Sequence, residues 1–175
     1  MVSSTRTGFS TRGRGRSNLR SRAAQYGHTI RPDQLPLLTF IYVAETQEQA
    51  EREYVGHLEH FFSDYLRTIP HYLAPPGYLS VDQLKTRAAM ADKLHGGFDF
   101  NAISASFFVA VGTPEKVANQ IGDWTAWMKT SHINGVMHIA DMPHWKTVKN
   151  LTLFAEEVIP RLRSRSDASQ RVAAE

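Results

Sequence analysis

The stretch Phe107-Phe108-Val109-Ala110-Val111-Gly112-Thr113-Pro114-Glu115 reads as a strand running straight into a helix. The apolar run suits a buried strand. Thr113 then caps, Pro114 fills the first helical position, where no N–H is needed, and Glu115 suits the positive end of the helix dipole. Val117, Ala118, Ile121, Trp124, Thr125 and Met128 follow at steps of three and four residues, which places them on one helical face. Gly135-Val136-Met137-His138-Ile139-Ala140, bounded by Asn134-Gly135 and Asp141-Met142-Pro143, is too short for a buried helix and predicts a buried strand. A final helix is predicted with Val148, Leu151, Thr152, Ala155, Val158, Ile159 and Leu162 on one face, and bending or fraying is expected near Pro160. A strand, a helix and a second strand at this spacing make a right-handed crossover between parallel strands, so further elements must cover the remaining face and edges.

Upstream, Leu37 to Ala44 is nearly continuous in apolar and β-branched residues, as a buried parallel strand is. It ends at Glu45-Thr46. Thr46 with Gln49 predicts a capping box, and Ala50, Tyr54, His57, Leu58, Phe61, Phe62 and Tyr65 continue at helical spacing to about Leu66. Residues 67–106 break the pattern with Pro70, Pro75, Pro76, Gly77, Gly96 and Gly97, and hold one predicted helix from Val81 to Leu94 begun by Ser80. Such an excursion is either a lid or binding loop or a plain surface insertion. A short helical remnant is predicted over Ser21 to Gly27.

At 175 residues and 42% apolar composition the chain is expected to form one α/β domain over 23–165, with insertion 67–106 and disordered tails at 1–22 and 166–175. Without cysteine it has no disulfide, thiol nucleophile or thiolate metal site. No run reaches the roughly 18 apolar residues of a membrane span, and the start lacks the apolar core of a secretory signal; a cytoplasmic protein without membrane contact is expected. Arg6, Arg12, Arg14, Arg16, Arg20 and Arg22 stand without an acid; the rest has 14 basic and 17 acidic residues, a net of −3. Arg12-Gly13-Arg14-Gly15-Arg16 is a candidate nucleic-acid contact. With only Phe9 to stack on bases, a solvated tail is the competing and preferred reading.

Three segments, in order, carry a resemblance. Phe40-Ile41-Tyr42-Val43-Ala44-Glu45-Thr46-Gln47-Glu48-Gln49-Ala50 resembles the "vaeT-x-x-eA" strand-to-helix segment of luciferase-like flavin-dependent monooxygenases. Val111-Gly112-Thr113-Pro114-Glu115-Lys116-Val117-Ala118 is similar to that family's "vGtPeeVa", and Glu156-Glu157-Val158-Ile159-Pro160-Arg161-Leu162 to its closing "evlPeL" helix. Pro75-Pro76-Gly77-Tyr78 also occurs in some members. The resemblance spans residues 26–163 and only the carboxy-terminal part of the family, whose members are (β/α)8 TIM barrels of roughly twice this length. It implies the carboxy-terminal half of such a barrel and oxidation of a small organic substrate with O2 and reduced flavin, FMN being the cofactor. It also implies a flavin reductase as partner, and a homo-oligomer or pairing with an amino-terminal half. The family's catalytic histidine and much of its phosphate grip lie in that other half, so no catalytic residue is carried over. A catalytically silent half-barrel partner or remnant is the alternative, and an arginine-rich nucleic-acid binder a third.

In a barrel the site lies at the carboxy ends of the strands, where Glu45-Thr46 and Asp141-Met142-Pro143-His144 leave them. Asp141 and His144 are therefore candidates to anchor substrate or cofactor, against a helix-entry role for Asp141-Met142-Pro143. His132, His138 and His144 are six residues apart, which is not a ligand spacing of one helical turn, and a satisfied core histidine is the preferred reading of His138. Trp124 is read as core. Gly112-Thr113-Pro114 is read as a cap rather than a phosphate loop.

Overall fold

A computed structural model describes residues 17–65, 77, 80–85, 98–106 and 108–174, with backbone alone at 105–106 and 167–174. Helix α1 (residues 17–25) precedes strand β1 (Leu37–Val43). Helix α2 (Gln47–His60) follows and widens into a π turn at Phe61–Tyr65. Residues 81–85 are helical, and helix α3 (Phe100–Ser106) leads to strand β2 (Val109–Gly112). Helix α4 (Pro114–Met128), strand β3 (Ile133–Val136) and helix α5 (His144–Leu153) come next. A π turn at Phe154–Val158 joins α5 to helix α6 (Ile159–Ala174).

The sheet is parallel with order β2-β1-β3: Phe40 pairs with Val109 on one side and with Val136 on the other. The chain therefore moves one way across the sheet from β1 to β2 and the opposite way from β2 to β3. Right-handed crossovers in opposite directions put their helices on opposite faces, and the core divides accordingly. Phe40, Tyr42 and Ala44 meet Ala50, Tyr54, Leu58 and Phe62 of α2. Leu37, Ile41 and Val43 meet Val117, Ala118, Ile121 and Trp124 of α4, together with Val158. Alternation along β1 supplies both faces, and Thr39 among them is satisfied by donating to Phe108 O at 2.7 Å. This arrangement differs from a run of consecutive barrel units, which would place β2 between β1 and β3 and all helices on one face.

The two main helix starts behave as the sequence predicts. Thr113 Oγ1 accepts from Lys116 N, and Thr46 Oγ1 from Gln49 N. The capping box at Thr46 is only half made, because Gln49 Nε2 donates to Glu53 Oε1 instead of returning to the cap. Gly27 (φ +76°) ends α1 as expected. Ser80 Oγ accepts from Gln83 N, a start signal at the expected place; the rest of the Val81–Leu94 prediction lies outside the described residues.

Four expectations are corrected. The last strand runs Ile133–Val136 rather than Gly135–Ala140, and it is only partly buried. Ile139 is buried, in the loop beyond it. The tail boundaries move: residues 17–22, read as part of a disordered tail, are helical, and so are residues 166–174. Arg20 explains the first, since its guanidinium donates to Lys129 O at 2.7 Å and Met128 O at 3.3 Å, covering carbonyls left over at the end of α4. The final helix turns a different face inward: Val148 and Leu151 are exposed while Asn150 is fully buried. The bonds of Asn150 fix that rotation, and the π turn then shifts the register so that Val158 still reaches the core.

Candidate functional site

Three parallel strands end on one edge, and β1 is flanked there by chains leaving in different directions. A point where strand order reverses opens a crevice at the carboxy ends, the usual ligand position in open α/β sheets. β3 stops pairing at Val136, level with Phe40, so the last residues of β1 have no strand on that side. The carboxamide of Asn150 takes its place. Its Oδ1 accepts from Val43 N at 2.9 Å, and its Nδ2 donates to Ile41 O at 2.8 Å and to Met137 O at 3.1 Å. Beyond Met137 the chain makes a turn in which Met142 N donates to Ile139 O, with Ala140 at φ +47°. A β-carbon is disfavoured at that angle, and strain of this kind collects at functional sites.

Above Asn150 lies a continuous polar network that joins α2, the β3–α5 loop and α5. Lys149 Nζ sits between Glu45 (2.7 Å) and Glu53 (3.0 Å). Glu53 also accepts from Tyr42 OH at 2.7 Å and from Gln49 Nε2 at 2.9 Å. One turn along, Lys146 Nζ donates to Glu53 O at 2.7 Å and lies 3.0 Å from His57 Nε2. The other nitrogen, His57 Nδ1, is 2.8 Å from Asp141 Oδ1.

An ammonium has only donors, so His57 Nε2 accepts and the ring proton sits on Nδ1, donated to Asp141. That bond holds the Asp141 carboxyl below its ordinary range. The Lys149 ammonium does the same to Glu45. For Glu53, burial pushes upward, but the bonds from Gln49, Tyr42 and Lys149 prevail and its titration is lowered. Lys149 mirrors it: burial pulls downward, and the two carboxylates win and raise it. Burial, and then the bond to Glu53, push the Tyr42 phenol far up.

Of the candidates from the sequence, Asp141 is in this network. His144 begins α5, stays exposed and is not part of it. His138 is exposed beyond the strand rather than in the core, its Nδ1 2.7 Å from Thr147 Oγ1, because β3 ends earlier than its apolar run suggests. The three histidines do not converge, and among the described residues no group of three or more His, Cys, Asp or Glu could hold a metal ion. Trp124 is core, edge-on to Phe108 at 5.2 Å. Glu53, Lys146 and Lys149 were not singled out from the sequence, and His57 only as a helical-face residue. A signal was present: Glu53 and His57 are four apart on α2, Lys146 and Lys149 three apart on α5, spacings that stack polar groups on one side of each helix.

The fit of a flavin to these residues is divided. Lys146 and Lys149 are both committed to oxygen atoms of this chain, and the first turn of α4 is capped by Thr113 and carries Glu115. Those groups do not make a phosphate grip. The buried Gln47 Oε1, over the β2–α4 turn at Gly112, lacks a donor and is suited to an N–H or O–H of a ligand. No helix among the described residues is long and apolar enough to cross a membrane.

No protein-family model matches the chain, and no curated protein matches it. Solved structures do. Monooxygenase RslO1 from Streptomyces bottropensis superposes over 91% of this chain and 39% of its own, at 19% identity and a TM-score of 0.57. The oxygenating constituent of 3,6-diketocamphane monooxygenase of Pseudomonas putida, a type II Baeyer-Villiger monooxygenase solved with FMN, covers 80% of this chain and 36% of its own, at 21% identity and a TM-score of 0.51. At these identities the likeness is one of fold, and the chain spans well under half the length of either protein.

Proposed function

We propose that this chain is the carboxy-terminal part of a cytoplasmic flavin-dependent monooxygenase of the luciferase-like class, oxidising a small organic substrate with O2 and reduced FMN. The observation that carries the reading is a coincidence of two independent signals. The three resembling segments map onto the β1–α2 junction, the β2–α4 junction and the last helix, and the fold built from them is similar to monooxygenases, one of them solved with FMN. The strand order is compatible with a barrel if β1 and β3 are its consecutive strands and the four-residue β2 is an addition on the side that a preceding strand would take. The bound flavin supplies the oxygen chemistry. This chain supplies one wall at the carboxy ends of its strands, and the phosphate is held by segments outside the residues described here.

The test is a joined protein. The 175-residue chain fused behind the amino-terminal part of RslO1, given FMN, NADH and a flavin reductase, is expected to bind the flavin and consume oxygen in the presence of a ketone substrate. A folded fusion that binds no flavin overturns the reading. The silent-partner alternative predicts flavin binding without substrate-dependent oxygen use.

A further inference from the structure

We propose that Lys146 is a nucleophilic amine, activated by His57 and Asp141, that forms an imine with aldehydes or ketones. The diagnostic arrangement for an activated nucleophile is a nucleophile and a base in hydrogen-bond reach, with the base oriented by a third group. Lys146 Nζ and His57 Nε2 are 3.0 Å apart, and His57 Nδ1 and Asp141 Oδ1 are 2.8 Å apart. The tautomer is set by the donors: the face of His57 toward Lys146 is its basic one. Glu53 O, 2.7 Å from Lys146 Nζ, fixes the amine on a second side. The ring of Trp145 lies 5.7 Å from the same nitrogen.

The step balances without a further reactant. A proton passes from Lys146 Nζ to His57 Nε2, and the freed electron pair attacks the carbonyl carbon. Asp141 stabilises the imidazolium. The carbonyl oxygen takes one proton from the newly bonded nitrogen and one back from His57 and leaves as water, and the product is the protonated imine, whose nitrogen keeps the third proton of the ammonium. Lys146 and His57 are the catalytic residues, and Asp141 is a positioning residue. Nothing in this step depends on the flavin reading.

The full chain is incubated at neutral pH with acetaldehyde and cyanoborohydride, and N-ethylation is followed at each lysine by peptide mass spectrometry. Lys146 is expected to be labelled about a hundredfold faster than exposed Lys129, the lower end of what a positioned general base contributes. His57→Gln removes that advantage while the thermal melt stays cooperative. Asp141→Asn lowers the rate and moves the midpoint of its pH profile downward, which a purely structural role would not do. Labelling of Lys146 at the rate of Lys129 overturns the proposal, and so does an unchanged rate in a folded His57→Gln protein. Should either variant fail to fold, the Lys146 to Lys129 ratio in the native chain decides alone.

Discussion

Asn150 shows how much one side chain can hold. Its carboxamide satisfies a backbone donor and two backbone acceptors at the point where β1 loses its strand partner, and it is fully buried. Replacement by Leu, of similar volume, leaves two buried backbone groups and one part-buried one unpaired and is expected to cost about 3 kcal/mol. Urea unfolding of Asn150→Leu measures it, and a loss under about 1 kcal/mol would mean that water or a shifted strand takes over those bonds. The charged residues above it make a second prediction. Glu45, Glu53 and Asp141 all titrate lower in the folded chain than ordinary carboxyls. The unfolded chain therefore binds protons first on acidification, so their contribution is present above the ordinary carboxylate range and is lost as pH falls through it and below. Thermal melts across that window are expected to show a falling midpoint, with a shallower fall in Glu53→Gln. At this scale the sequence marked Asp141 only as a residue just ahead of a helix start, and its pairing was not legible. Its partner His57 is 84 residues away, and Lys146 lies 89 residues from His57; no local pattern reveals pairings made by the fold.

The elements were more legible than their rotations. β1, α2 and α4 follow apolar runs and caps that act over three or four residues, and they form where the sequence places them. The last helix misled because its apolar period at Val148, Leu151, Thr152 and Ala155 competes with one buried polar residue. Asn150 and its three backbone bonds decide, and Trp145, Val148 and Leu151 are left at 57%, 47% and 47% exposure. Pro160 does not stop the helix. The π turn before it loosens the pattern of bonds that its missing N–H would break. The amino-terminal helix yields a prediction that separates two boundaries. Removal of residues 1–16 is expected to leave the melt unchanged, whereas removal of 1–22 deletes Arg20 from the end of α4 and lowers stability by about 1 kcal/mol. Equal melts for the two truncations would show that Arg20 contributes nothing there.

Among the described residues, a three-stranded parallel sheet carries helices on both faces, and the Glu45–Lys149–Glu53 and Lys146–His57–Asp141 network lies toward the carboxy ends of its strands. Strand order was not legible, since parallel pairing joins residues about 70 or 95 positions apart and the choice of side for each strand leaves no mark in its own residues. The apolar runs announce strands and not neighbours. In the proposed enzyme this edge is one wall of a flavin site whose phosphate is gripped elsewhere, and both lysines here are already held by oxygens of the chain. The most direct measurement is a titration of the 175-residue chain alone with FMN, followed by flavin fluorescence. No saturable binding in the micromolar range is expected of the chain alone, and binding there is expected once an amino-terminal barrel half is joined to it. Micromolar binding by the chain alone would contradict that expectation, because this edge would then hold the phosphate by itself.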